Sequence, residues 1–193
     1  MSRVLVSGLI ALAVSLCVLA GCVPVMVAGA VGGAAMVATD RRSAGAQVDD
    51  ESIELKINTR ASSEFGERIH LNVTSYNGFV LLTGEVPDQG AWASVGILAK
   101  NTEKVRGVHN EMVIGPNSDL SARSNDTYIT SKVKTRMIEA NKFPPNVVKV
   151  VTERSVVYLM GIVSKQEGDA AAEIAATTAG VARVVKFFQY PPA

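Results

Sequence analysis

Two side-chain types that build reactive or metal-holding sites are scarce in this 193-residue chain, which has two cysteines and two histidines. Cys17 and Cys22 lie five residues apart in an apolar stretch, and His70 and His109 have no ligand spacing with them. A tetrahedral zinc site assembled from these four is therefore not expected, nor is a structural disulfide. Charged residues make up only 19% of the chain and aromatics 5%, with a net charge of +1. Nucleic acid is not expected as a partner of a chain that reads as exported and whose basic patch is modest. Gly-rich phosphate loops, paired-histidine metal helices and Gly-x-Ser-x-Gly elbows are missing too, and with them the common signatures of nucleotide, metallohydrolase and esterase chemistry. The expectation is a protein with no catalytic residues, no metal and no cofactor.

The shortage of charge is local. Residues 4–37 carry no charged side chain, while the rest reads as an ordinary globular sequence. Arg3 precedes the apolar run Val4 to Leu19, which ends at the small residues Ala20 and Gly21. Sixteen helical residues reach about 24 Å, short of a hydrocarbon core of about 30 Å, so the pattern reads as an export signal rather than a span. Leu19-Ala20-Gly21-Cys22 resembles the bacterial lipobox. The resemblance implies cleavage before Cys22, removal of Cys17 with the signal at 1–21, and acylation of the Cys22 thiol and its new amine. Three acyl chains anchor a protein stably where one would not. Position 23 is Val, not the Asp that favours inner-membrane retention in such lipoproteins, so the resemblance implies lipid anchoring in the outer membrane, facing the periplasm.

Residues 22–46 then form a lipidated start and linker, rich in Val, Ala and Gly up to Ala38. Gly29-x-x-x-Gly33 within it is a spacing that Ala/Gly-rich sequence produces by chance.

Beyond the linker the chain repeats itself. Asp50-Glu51-Ser52-Ile53-Glu54-Leu55-Lys56-Ile57 aligns with Asp126-Thr127-Tyr128-Ile129-Thr130-Ser131-Lys132-Val133. Phe79 to Val86 aligns with Val156 to Val163, and Val105 to Val108 with Thr178 to Val181. In each copy a helix is expected to open at an Asp N-cap and to turn Ile53/Ile57/Ala61 or Ile129/Val133/Met137 toward a core. Two strands follow, joined by a type I′ turn at Asn77-Gly78 in the first copy and around Glu153-Arg154 in the second. A second helix near 88–104 or 164–178 and a last strand after Gly107 or Gly180 complete the order αββαβ. Gly84 and Gly161 are expected to end the second strand, at a tight turn into the next helix.

The repeated pattern, with Gln47-Val48-Asp49-Asp50, Ser124-Asn125-Asp126-Thr127 and the hydrophobic-Gly strand ends, resembles the BON domain. With the lipobox and Ala38-Thr39-Asp40, the layout is similar to dual-BON outer-membrane lipoproteins of the division-site, lipid-binding type. The resemblance implies an α+β fold of two tandem BON domains, at 47–115 and 124–193 with a linker at 116–123. Each domain would pack its helices on a small mixed three-stranded sheet. It also implies phospholipid binding, a role in outer-membrane integrity and no enzymatic activity.

The two copies differ in charge. Residues 47–115 hold six basic and ten acidic side chains, whereas residues 119–193 hold ten and seven. On the first helix Ser52 is replaced by Tyr128, Glu54 by Thr130 and Asn58 by Lys134. Asn125, Asp126, Thr127, Tyr128, Ile129, Lys132, Val133, Lys134 and Arg136 are the candidate lipid-contacting set, because an amphipathic ring beside cations suits an anionic headgroup layer such as phosphatidylglycerol. The competing expectation for this helix has Tyr128 packing against the neighbouring BON unit and the cations forming a solvated face. A separate alternative for function makes the BON pair an adaptor for an envelope assembly or peptidoglycan-linked protein, with lipid only as tether. Trp92 is expected to pack in a core or between the domains. Lys165, Arg183 and Lys186 read as a solvated face, and His70 and His109 as structural or exposed.

Overall fold

The computed structural model describes residues 40–191. The expected signal segment, Cys22 and the linker before residue 40 lie outside the described residues. Among the described residues no helix is long and apolar enough to cross a membrane.

Each copy folds as the periodicity indicates. In the first, helix α1 (Ala44–Phe65) precedes strands β1 (His70–Tyr76) and β2 (Phe79–Val86), helix α2 (Gln89–Lys100) and strands β3 (Gly107–Asn110) and β4 (Val113–Ile114). In the second, α3 (Leu120–Ala140) is followed by β5 (Val148–Glu153), β6 (Val156–Ile162), α4 (Lys165–Ala176) and β7 (Arg183–Gln189). The hairpin partner lies antiparallel to the central strand, β2 or β6, and the last strand lies parallel to it. The first sheet counts four strands because its parallel edge breaks at Glu111-Met112 and resumes in register as β4.

One face of each sheet meets its own helices. Ile53, Ile57 and Ala61 pack with Val73, Val80, Leu82 and Val86, and Ile129, Val133 and Met137 pack with Val150, Val157 and Leu159. The other faces meet each other: Tyr76 and Leu81 of the first copy and Tyr158 and Met160 of the second form a third buried cluster. The described unit is thus a two-sheet sandwich with helices outside. Alternating strands that are apolar on both sides follow from this arrangement. An aromatic row crosses the seam, with His109 stacked on Phe187 at 3.9 Å between Phe79 and Tyr158. Burial holds the His109 ring below its usual pKa, which favours the neutral form that stacks there.

Four expectations are corrected. Asp50 and Asp126 are not N-caps, because Ser43 and Asp119 cap the two helices two turns earlier. The buried carboxylates instead reach across to the hairpin turns. Asp50 accepts from the Asn77 and Gly78 amides at 2.7 and 2.8 Å, and Asp126 from the Arg154 and Ser155 amides at 2.8 Å each. The second hairpin turns at Arg154-Ser155, both at positive φ like Asn77-Gly78, one residue later than expected. Gly84 and Gly161 lie inside β2 and β6 rather than at a turn, where a Cβ would collide with the carbonyl of His70 on β1 or of Val147 just before β5. The second-copy helix also begins at Leu120, inside the stretch expected to be linker. Gly107 lies under the Phe79 ring and Gly180 against Ile129.

A short strap ties the copies together ahead of α1. Arg41 grips Glu167 at 2.7 and 2.8 Å and donates to the Ile162 carbonyl, while Arg42 pairs with Asp40 and Asp50 and lies over the Tyr76 ring. The Arg41 hydrogen bonds hold the Glu167 carboxyl down at about 2. Glu167 also completes a capping box with Ser164 at the start of α4.

Two outcomes test this fold. Asp126→Ala leaves two turn amides without their acceptor and is expected to lower stability by about 2–6 kcal/mol in urea unfolding, taking roughly 1–3 for each lost partner. Gly84→Ala combines a backbone collision with a φ of +114° and is expected to cost about 3 kcal/mol or more in the same assay.

Candidate functional site

The lipid-contacting candidates fall on α3, and the helix sorts them. Asp126, Ile129 and Val133 are 5%, 0% and 0% exposed and face inward, so the outward part of the set is smaller than the sequence pattern suggested. Ile129 and Val133 belong to the domain core and Asp126 holds the hairpin turn. Asn125, Thr127, Tyr128 and Lys134 are exposed, and Lys132 and Arg136 are half-buried at the helix flank.

Tyr128 is 62% exposed and does not pack between the domains. Lys132 Nζ lies 4.5 Å from the centre of its ring and also donates to the Ala179 carbonyl. Arg136 donates to the Ile174 carbonyl and to the Thr177 and Thr178 hydroxyls, clamping the last turn of α4 where helix carbonyls carry partial negative charge. These acceptors are neutral. Among the described residues no carboxylate pairs with Lys132, Lys134 or Arg136, so their charge stays uncompensated. A shallow apolar groove of about 550 Å³ runs between Tyr128, Lys132 and Arg136 on α3 and Thr177 to Ala179 after α4.

Two residues missed by the sequence reading extend this face. Leu120 and Ile138 are 79% and 60% exposed. With Ser124, Tyr128, Ser131 and Thr135 they follow i, i+3/i+4 spacing along a stripe of about 27 Å. The signal was available: continuing the helical period outward from the core positions places both residues opposite Ile129 and Val133. The expected late helix start hid Leu120. The corresponding face of α1 carries Ser52 in place of Tyr128 with Glu51 beside it; it also bears the exposed apolar side chains Val48 and Leu55, while Glu54 turns inward to the Ser75 amide.

A second cluster lies at the seam between the sheets. His70 Nδ1 stands 2.9 Å from Glu85 Oε2 and 3.9 Å from Glu153 Oε1. Burial pushes the Glu153 carboxyl up, with the nearby charges of Glu85 and Asp126 adding to it against opposing contacts from Asn72 and His70. Glu85 is also buried, yet hydrogen bonds from the Ser118 amide, His70 and Arg154 outweigh the desolvation and hold it below the usual carboxylate range. Trp92 packs on the first core and donates to the Met112 carbonyl at 3.2 Å. Lys165 and Lys186 pair with Asp169.

Comparison with known proteins fits this architecture. The BON domain family model matches residues 49–116 and 125–192. Over 174 residues the chain is 37% identical to the outer membrane lipoprotein DolP of Haemophilus influenzae, covering 89% of this chain and 90% of that one. It is also 37% identical over 153 residues to a 21 kDa hemolysin of Actinobacillus pleuropneumoniae, covering 78% and 79%. These relatives are named as a lipoprotein and a hemolysin, not as enzymes. Two solved structures of CdsD, a structural protein of the type III secretion system of Chlamydia trachomatis, are similar at TM-scores of 0.30 and 0.31. Their sequence identities are 15% and 10%; the matches cover 75% and 72% of this chain and 64% and 96% of those chains, and they bear no weight on function. With both αββαβ units matched and the likeness to DolP running through nearly the whole chain, this protein belongs to the BON-domain family as a dual-BON, DolP-like lipoprotein of the outer membrane.

Proposed function

We propose that the protein is a non-enzymatic lipoprotein, acylated at Cys22 and facing the periplasm, that lays α3 of its second BON domain on anionic phospholipid. In doing so it supports outer-membrane integrity, with division sites as the place of action. The observation that carries this reading is the outward stripe of α3. Leu120, Tyr128 and Ile138 stand exposed on a hydroxyl-rich face, flanked by cations that no carboxylate neutralises among the described residues. Apolar anchors entering the headgroup layer beside lysine and arginine are the arrangement of an interfacial helix. The acidic first copy faces repulsion at the same surface, so one BON domain meets lipid while the other stands off it. The exposure of Tyr128 favours contact with a partner outside the chain over packing against the neighbouring BON unit.

Co-sedimentation of a fragment spanning residues 40–193 with phosphatidylglycerol vesicles tests the assignment. Each near-surface cation contributes about 1 kcal/mol, so Tyr128→Ala with Lys132→Glu is expected to remove about 3 kcal/mol of partitioning, roughly a hundredfold. Phosphatidylcholine vesicles are expected to bind weakly in both cases. Equal binding of phosphatidylglycerol by the wild type and the double variant would overturn the assignment, and pull-down of a defined envelope complex without lipid binding would support the adaptor instead.

A further inference from the structure

The seam cluster has the composition and spacing of a metal site, which the sequence hides because its members come from three separate strands. One ligand atom each from His70 (β1), Glu85 (β2) and Glu153 (β5) lies within 4.8 Å of the others. Ligands held at about 2.0–2.2 Å around a tetrahedral zinc ion stand about 3.3–3.5 Å apart. The 2.9 Å and 3.9 Å separations from His70 Nδ1 bracket that spacing, and the two carboxylates lie within 4.8 Å of each other, so side-chain adjustments bring the set to coordinating distance.

The surroundings favour an ion. Glu85 is wholly buried and Glu153 is 4% exposed, so two carboxylates removed from water share one imidazole and the half-exposed guanidinium of Arg154. Buried anions of this kind are retained when a cation joins them. One imidazole with two carboxylates, and no thiolate, suits zinc among the divalent ions that accept mixed nitrogen and oxygen ligands.

Outer contacts that orient such ligands are already in place. Asn72 Nδ2 donates to Glu153 Oε2 at 2.7 Å, which leaves Oε1 turned toward His70. The Ser118 amide donates to Glu85 Oε2 at 3.1 Å, while Arg154 takes the other oxygen, Oε1, at 3.3 Å with half of its side chain in solvent. An open cleft of about 530 Å³, lined by His70, Asn72, Lys134 and Glu153 among others, gives a path for entry and room for a water as fourth ligand.

We propose that His70, Glu85 and Glu153 bind a divalent cation of the zinc class, with water completing the coordination, and that the ion staples the two BON domains across their facing sheets. Two ligands come from the first domain and one from the second, so binding and domain docking reinforce each other. Metal bound only by the docked arrangement stabilises it by mass action. The three ligands are not among the lipid-contacting residues, although Thr127, Ser131 and Lys134 of α3 line the mouth of the cleft, so zinc binding is measured without vesicles and its outcome does not decide the lipid assignment.

The test uses the full chain in detergent, without a histidine tag, stripped with EDTA and titrated with zinc chloride. Calorimetry and equilibrium dialysis are expected to show one ion per chain, and the melting temperature is expected to rise with free zinc. His70→Gln and Glu153→Gln are each expected to weaken binding by roughly a hundredfold or more, and Asn72→Ala by roughly ten- to a hundredfold at unchanged stoichiometry. His109→Gln is expected to bind like the wild type. X-ray absorption at the zinc edge is expected to show one imidazole among oxygen ligands and no sulfur, a readout on the wild type that holds even if a variant fails to fold. A wild-type chain that takes up no zinc, a spectrum without imidazole, or His70→Gln and Glu153→Gln binding as tightly as wild type overturns the proposal.

Discussion

A buried aspartate on the first helix of each copy, pointed at the hairpin that follows, is the contact on which the rest of the structure depends. Asp50 and Asp126 take two adjacent turn amides apiece, and Asp50 also accepts from the Ser75 hydroxyl and pairs with Arg42. Burial alone would raise the Asp50 carboxyl, but hydrogen bonds from Ser75, Gly78, Asn77 and Arg42 outweigh it and hold the group below its usual range. The contribution is therefore complete above the ordinary carboxylate pKa and is lost as pH falls through the lower native value. By fixing the hairpin apex to the helix, the carboxylate sets which strand residues face the helices. The alternate residues are then committed to the opposite sheet. The sandwich, the aromatic row and the seam cluster all follow from that choice of face.

Duplication has kept this frame while changing the surface chemistry. The next helical contact shows the divergence on a small scale. Glu54 accepts from the Ser75 amide and binds Lys149 of the second domain, whereas its counterpart Thr130 meets the Thr152 hydroxyl within its own domain. At this position one copy reaches across the seam with charge, and the other answers with a hydroxyl pair inside its own domain, while its α3 cations Lys132 and Arg136 meet neutral acceptors. The polarity difference between the copies is thus written into the same structural positions.

Much of this was legible in the sequence because it rests on local periodicity. Ile53, Ile57 and Ala61, and Ile129, Val133 and Met137, declared both core stripes, and Asn77-Gly78 declared its turn. The aspartates were misread because an acidic residue just before an apolar stripe looks like a cap, and only the hairpin brought back over the helix shows the other use. Gly84 and Gly161 were misplaced for a related reason: a glycine beside a strand end suggests a turn, while the collision it avoids is with a strand distant in sequence. The seam cluster was invisible, since nothing local connects His70 to Glu153. The outer stripe of α3 was half visible: Tyr128 stood out by contrast with Ser52, while Leu120 and Ile138 needed the true helix bounds.

The strap before α1 has a mechanical consequence for a protein held from its N-terminal side. A pull on the chain there enters the folded unit through Asp40, Arg41 and Arg42. Arg41 hands the load to the second domain at Glu167 and Ile162, and Arg42 hands it to the first at Asp50. With the anchoring at Cys22 proposed above, that load would be shared between the two domains at their junction rather than borne by the first helix alone.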